Sequence, residues 1–290
     1  MLTIGAKKFE WGTRTYIMGI LNVTPDSFSG DGVMAHSKNW VAHAISQGVK
    51  MANEGVDILD VGGESTRPVS APLSLEEELK RVIPVIEGLA REVSIPISID
   101  TYKSEVARQA INAGAGIVND VWALQKDPLM AKVVSLHKVP VVLMHNRSKP
   151  QNAEVKEKLG GRYVGTEYGD LLKDVKSDLQ KSIDKALKEG VARESIIVDP
   201  GLGFGKTVEQ NLELINRLSE LKELRFPLLV GPSRKSFIGY TLDLPPEERL
   251  EGTAAAVALC IERGADIIRV HDVKAIQRVA KMTDAIVRRK

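Results

Sequence analysis

The chain lacks most of what would tie it to an oxidising compartment, a membrane or a polyanion. Cysteine occurs once, as Cys260 within AAAVALCIERG, so no internal disulfide can form and the residue reads as a buried thiol rather than a nucleophile. Such a count is compatible with a reducing compartment. No apolar run approaches the roughly 18 residues that a membrane span needs, and the first residues lack the charged region and apolar core of a secretory signal. Neither sign of charge dominates, because 40 Lys plus Arg face 38 Asp plus Glu for a formal charge of +2. That balance argues against a nucleic-acid or membrane footprint. Low-complexity tracts are missing as well. The expectation is a soluble, cytoplasmic protein that acts on small molecules.

What the chain does have is a series of short apolar runs, each closed by a chemically capable residue. Asn22 follows YIMGIL, Glu64 to Arg67 follow ILDVGG, Asp100 follows PISI, Asn119 follows GIV and His145 follows VVLM. Asp199 follows IIV, Lys235 lies just beyond PLLVGPS, and Arg269 and His271 close DIIRVHD. Helix-period segments separate these runs, and continuously apolar strands suit a parallel sheet covered by helices. The pattern predicts an α/β fold, a (β/α)8 TIM barrel, over a single domain spanning 1–290. In such a barrel the chemistry gathers in the loops at the carboxyl ends of the strands. Leu2 to Phe9 and Thr13 to Tyr16, around the turn-like EWG, predict a hairpin that closes the amino-terminal end of the barrel.

Helices are expected over Ser37 to Asn53, from a capping box at Ser74 and Glu77 onward, and over Lys103 to Ala113, Pro128 to His137, Tyr168 to Lys188, Val208 to Leu221, Glu247 to Arg263 and Val273 to Arg288. Pro84 should kink or split the second of these. His145 to Thr166 reads as a long irregular stretch, either a solvated loop or a lid.

The loop composition is informative. NVTPDSFSGDG, at Asn22 to Gly32, suits a mobile loop. Asn22 at its start can ligate a cation through its amide oxygen or simply form a turn. GGESTRP places Ser65, Thr66 and Arg67 together, where Arg67 could fork onto a carboxylate or phosphate or form a surface ion pair. Asp100 and Asn119 should be lateral neighbours at the barrel mouth, and with Asp199 they supply two carboxylates and an amide. That set suits a heterocycle with an amidine-like edge, such as a pterin or purine. DPGLGFGKT fails the spacing of a phosphate-binding loop, so its glycines read as allowing close backbone approach to a flat ligand, with Phe204 as a stacking face. Lys235, beside Ser236, could bind a ligand carbonyl or phosphate or form a Schiff base. Arg269 and His271, one residue apart, project to one face and join Asn22 across the barrel seam as a polyanion site.

These segments closely resemble those of the dihydropteroate synthase family. GILNVTPDSFS and DVGGESTRP are similar to its two signature segments, and PISIDTYK, VNDV, DPGLGFGK, GPSRKSFIG and RVHDV continue the likeness in order. The resemblance implies condensation of 6-hydroxymethyl-7,8-dihydropterin diphosphate with para-aminobenzoate to 7,8-dihydropteroate and pyrophosphate, by an SN1-like path. It also implies that Asp100, Asn119, Asp199 and Lys235 hold the pterin, with Asn22, Arg269 and His271 on the diphosphate and Mg2+ at Asn22. Thr66, Arg67, Pro68, Phe204, Lys235 and Ser236 would frame the aminobenzoate. Catalysis would fall to Asp100, Lys235, Arg269 and His271. A homodimer and inhibition by sulfonamides are further implications. The chain departs from the family pattern at SGDG, where Asp31 sits, and at MHNRSKP, which begins with Met144 and His145. Two other readings are a catalytically silent pterin-binding paralogue and a corrinoid-dependent pterin methyltransferase.

Overall fold

The computed structural model describes residues 1–24, 39–65, 72–164 and 167–288. An antiparallel hairpin, Leu2–Ile4 (β1) with Lys7–Phe9 (β2), comes first. The central strands then follow as Tyr16–Asn22 (β3), Ile58–Gly62 (β4), Ile97–Asp100 (β5), Ile117–Asp120 (β6) and Val141–Met144 (β7). After a side hairpin of Ala153–Lys156 (β8) and Gly160–Tyr163 (β9) come Ile196–Asp199 (β10), Leu229–Val230 (β11) and Ile267–Val270 (β12). The eight central strands are parallel in the order β10-β7-β6-β5-β4-β3-β12-β11, and a parallel bridge between Val198 and Leu228 joins the two edges. Helices Trp40–Asn53 (α1), Leu75–Glu92 (α2), Ser104–Asn112 (α3), Met130–His137 (α4), Leu171–Lys188 (α5), Val208–Asn216 (α6), Ser236–Leu242 (α7), Leu250–Glu262 (α8) and Val273–Val287 (α9) cover the outside. The fold is a (β/α)8 barrel.

The period-two alternation of strands divides the apolar residues into two buried sets. Ile17, Leu59, Ile99, Val118, Leu143, Val198 and Ile268 pack outward against the helices. Their neighbours Met18, Ile58, Ile117, Val142, Ile197, Leu229 and Ile267 point inward, where they meet Leu2, Ile4 and Phe9 of the hairpin. The hairpin thus plugs the amino-terminal end, and Phe9 is fully buried against Tyr16 at a ring separation of 4.8 Å. Asp57, just before β4, ties the plug down: it accepts from Arg14 at 2.9 and 2.6 Å and from the Ile17 amide at 2.9 Å, and pairs with Lys7 at 2.6 Å. Burial pushes this carboxyl up, but the bonds from Arg14, Lys7 and Ile17 outweigh it and hold the pKa below its ordinary value.

Several local expectations are corrected. The hairpin turns at Gly5, whose φ of +57° suits a tight turn, so its second strand is Lys7–Phe9 and Tyr16 enters the barrel instead. α2 runs unbroken through Pro84, because Val82, Val85, Ile86 and Leu89 bury its inner face completely and outweigh one missing hydrogen bond. The capping box there is half made: Ser74 accepts from the Glu77 amide, while Glu77 turns to Arg81. α5 starts at Leu171, after Asp170 caps it, not at Tyr168. α6 stops at Asn216 and tightens into a 3-10 run over Leu218–Leu224, and α8 begins at Leu250 after a separate turn at Pro246–Glu248. The stretch from His145 onward is not irregular, since it holds the β8–β9 hairpin, pinned where Tyr240 bonds the Gly160 carbonyl and Arg249 the Leu159 carbonyl. Cys260 is buried as expected, and burial pushes its thiol up to about 12.

Candidate active site

Above the apolar floor the inward positions become polar. On β4 the inward residue after Ile58 is Asp60, and on β5 it is Asp100 after Ser98. On β6, β10 and β12 the corresponding residues are Asn119, Asp199 and Arg269. Asp100 and Asn119 are register partners, as expected for lateral neighbours. Arg269 reaches across the cavity, with Nε donating to Asp60 Oδ2 at 2.6 Å and an Nη donating to Asp100 Oδ2 at 2.7 Å. Asn119 Nδ2 donates to the same Asp60 oxygen at 3.0 Å. Burial pushes the Asp100 carboxyl up to about 7, with Arg269 opposing the rise and Asp60 adding to it.

Asp199 accepts from the Gly201 amide at 2.7 Å and is likewise pushed above its ordinary value by burial. It opens a loop in which Gly201, Gly203 and Gly205 all have φ between 62° and 78°. A methyl group at 201 would sit 1.9 Å from the His145 carbonyl oxygen, and one at 205 would sit 2.3 Å from the Arg147 carbonyl carbon. These two glycines therefore serve the fit against the neighbouring loop rather than a ligand. Gly203 leaves room for Lys235, whose Nζ donates to the Leu202 carbonyl and lies 4.2 Å over the Phe204 ring. Burial lowers the Lys235 pKa to about 7, against the pull of Asp199. Lys235 caps α7, and Ser236 is that helix's first residue.

His271 follows β12 and shares a 3.0 Å contact between its Nδ1 and the Ser233 hydroxyl. The adjoining pair of Arg234 and Asp272, at 2.9 and 2.6 Å, ties the loop after β11 to the loop after β12. Asn22 ends β3, the strand that pairs with β12, so it stands at the same side of the mouth as Arg269 and His271. Among the described residues no group of three or more His, Cys, Asp or Glu side chains could hold a metal ion. Thr66, Arg67, Pro68 and Asp31 lie outside the described residues. Glu64, at the edge of that second loop, accepts from Tyr102 at 2.8 Å and pairs with Lys103.

Met144 and His145 separate in role. Met144 ends β7 beside Asp199, whereas His145 turns into the protein, 3% exposed, with Nδ1 2.9 Å from Lys206 Nζ. Burial and Lys206 lower the His145 pKa to about 4. Lys206 also donates to the carbonyls of Gly201 and Phe204 at 2.9 and 3.1 Å, so this buried lysine wires the glycine loop shut. Asp60 and Lys206 were not among the residues singled out from sequence. Asp60 was findable, because it lies two positions before Gly62 and therefore points inward with it. Lys206 carried no comparable signal once the phosphate-loop spacing failed.

The ring offers acceptors at Asp100 and Asp199, an amide at Asn119 and cations at Lys235 and Arg269. It matches a planar heterocycle rich in N–H groups, joined to an anion. Comparison with known proteins agrees with this geometry. The profile of the pterin binding enzyme family matches residues 18–271. A dihydropteroate synthase of Clostridium beijerinckii is 50% identical over 99% of this chain and 100% of its own. Among solved structures, dihydropteroate synthase from Clostridium difficile in the presence of pteroic acid has a TM-score of 0.87 at 48% identity, covering 97% of this chain and 100% of that one. The Yersinia pestis dihydropteroate synthase with a sulfonamide drug complex has a TM-score of 0.88 at 38% identity, covering 98% of each. The chain belongs to the dihydropteroate synthase family of pterin binding enzymes.

Proposed function

We propose that the chain condenses 6-hydroxymethyl-7,8-dihydropterin diphosphate with para-aminobenzoate to give 7,8-dihydropteroate and pyrophosphate. The observation that carries this reading is the convergence of Asp100, Asn119, Asp199 and Lys235 at one mouth, beside the strand that bears Arg269 and His271. Asp199 and Asn119 take the amidine-like edge of the pterin, Asp100 faces a ring N–H, and Lys235 reaches a carbonyl. Arg269, His271 and Asn22 take the diphosphate, with Arg269 keeping its Nε on Asp60 while its outer nitrogens turn to the anion.

In the chemical step the bond between the pterin methylene and the diphosphate oxygen breaks, and its electron pair leaves with the diphosphate. The aniline lone pair then forms the new C–N bond, and its proton passes to solvent or to the released pyrophosphate. Arg269 and His271 offset charge growing on the leaving group, while the Asp100 carboxylate offsets charge on the pterin. No strong base is needed, because the aniline nitrogen is already neutral near pH 7. Positioning and exclusion of water remain as the protein's tasks.

Thr66, Arg67, Pro68, Phe204, Lys235 and Ser236 frame the aminobenzoate, and sulfonamides compete for that frame. Mg2+ prefers oxygen donors and usually keeps several waters and substrate phosphates. The amide oxygen of Asn22 fits that preference, no group of three or more His, Cys, Asp or Glu side chains among the described residues being able to hold a metal ion, and the ion would supply positive charge to the diphosphate. The protein works in the cytoplasm as a homodimer. Supporting the pairing is an apolar groove between α6, α7 and α8 that leaves Leu212, Leu242 and Leu259 43%, 48% and 47% exposed. The test is pyrophosphate release by the purified protein with Mg2+ and the dihydropterin diphosphate, with and without aminobenzoate. Release of pyrophosphate and formation of dihydropteroate only with aminobenzoate is expected, and pterin binding without condensation would overturn the proposal.

A further inference from the structure

We infer that Asp60 is the positioning residue of the heterocycle pocket: its carboxylate dictates which way round Asn119 presents its amide, and it anchors Arg269 at the pocket edge. The inference rests on the pterin reading of the site and concerns how that site tells a pterin from other flat rings. Asp60 is fully buried and lies beneath the mouth, one inward step below Gly62. Its Oδ2 accepts from both Asn119 Nδ2 at 3.0 Å and Arg269 Nε at 2.6 Å.

A carboxylate can only accept, so the Asn119 nitrogen has to face it. One of the two amide hydrogens is thereby engaged. The remaining edge of Asn119 presents Oδ1 as acceptor and the second N–H as donor, in a fixed order. That order complements a ring nitrogen acceptor next to an exocyclic amino donor, the 2-amino edge of a pterin. A 2-oxo ring shows the opposite order. An amide that was free to turn over would read both equally well, because its oxygen and nitrogen have nearly the same shape. The selectivity of Asn119 therefore belongs to Asp60. The same carboxylate holds Arg269 by its Nε, leaving the outer nitrogens to switch between Asp100 and an anion.

The test is a double-mutant cycle read with 6-hydroxymethylpterin, which lacks the diphosphate. Asp60→Leu keeps the branched shape but can accept no hydrogen bond, so it no longer dictates the orientation of Asn119. We expect it to weaken pterin binding about tenfold, as for one hydrogen bond, in the wild-type background. In an Asn119→Ala background the same change should cost less than about twofold, because coupled residues are not additive. Binding of inorganic pyrophosphate with Mg2+ should hold or tighten in Asp60→Leu, since Arg269 is released from Asp60; a general loss of fold would weaken both probes. The exchanged pair Asp60→Asn with Asn119→Asp keeps a mutual hydrogen bond but leaves an acceptor-only edge, and it should fold yet bind pterin poorly. Additive effects across the cycle, or wild-type pterin affinity in the exchanged pair, would overturn the inference while leaving the functional reading intact. A wild-type protein without pterin affinity would overturn both.

Discussion

Asp100 is asked to face positive charge from a position where burial alone would keep it protonated, and the Arg269 guanidinium 2.7 Å away limits the rise of its pKa to about 7. Its ordinary value is 3.8, so ionisation of this group opposes folding: its contribution to stability is complete below that value and is lost as pH rises through about 7. Function runs the other way. Below about 7 the carboxyl takes a proton and turns a donor toward the ring N–H, so pterin affinity should fall as pH drops from 8.5 to 5.5, by up to about tenfold per unit. Calorimetric titration of the wild type beside Asp100→Asn across that range checks this: Lys235, also near 7, titrates in both, so the difference between the two profiles reports Asp100, and parallel profiles would exclude it as the acceptor. Asp100, Asn119 and Asp199 were legible in the sequence because each closes an apolar run, where a strand delivers its last inward side chain to the mouth. Asp60 is legible only by strand parity, because it sits inside its run and otherwise looks like a solitary core polar residue. His145 shows the converse, a run-ending residue that turns away from the mouth to meet Lys206.

At the scale of elements, the barrel separates a floor that stabilises from a rim that reacts. Phe9 of β2 is fully buried in the floor cluster, so Phe9→Ala should cost about 3–5 kcal/mol of unfolding free energy in urea. Pterin affinity should not change, since the floor lies at the opposite end from Asp100; a folded Phe9→Ala protein with tenfold weaker pterin binding would show that floor and rim are coupled. Gly201→Ala should do the reverse of a floor change. The added methyl would meet the His145 carbonyl at 1.9 Å from a backbone at φ +68°, so the loop must move, carrying Phe204 and the Leu202 carbonyl away from Lys235. Activity should fall more than a hundredfold with far-ultraviolet circular dichroism preserved, and near-wild-type turnover would refute the tight-fit argument. The strand and helix order was readable because short, continuously apolar runs alternate with segments of 3.6-residue period along the chain. Helix ends and the β8–β9 hairpin were not, because caps such as Asp170 and the contacts of Arg249 with Leu159 are set by tertiary neighbours rather than by local pattern.

For the whole molecule, the outer helices are not equally finished. α6, α7 and α8 leave a groove whose rim residues Leu212, Leu242 and Leu259 are each more than two-fifths exposed, while a stable interface needs about 800 Å² from each partner. A second copy laid on this face would cover those leucines and also brace α7, the short helix whose first turn carries Lys235 and Ser236. Pairing would then reach the reaction without lending a residue to it. Leu242→Glu combined with Leu259→Glu places two charges in the groove at positions that the barrel core does not use. Light scattering after size exclusion should show a dimer for the wild type and a folded monomer for the double variant. With α7 unbraced, the KM for aminobenzoate, framed by both Lys235 and Ser236, should rise severalfold while pterin affinity, shared by Lys235 with Asp100, Asn119 and Asp199 of β5, β6 and β10, changes less. A wild-type protein that is monomeric at micromolar concentration would rule out pairing, and an unchanged KM in a monomeric variant would rule out bracing of α7 as its purpose.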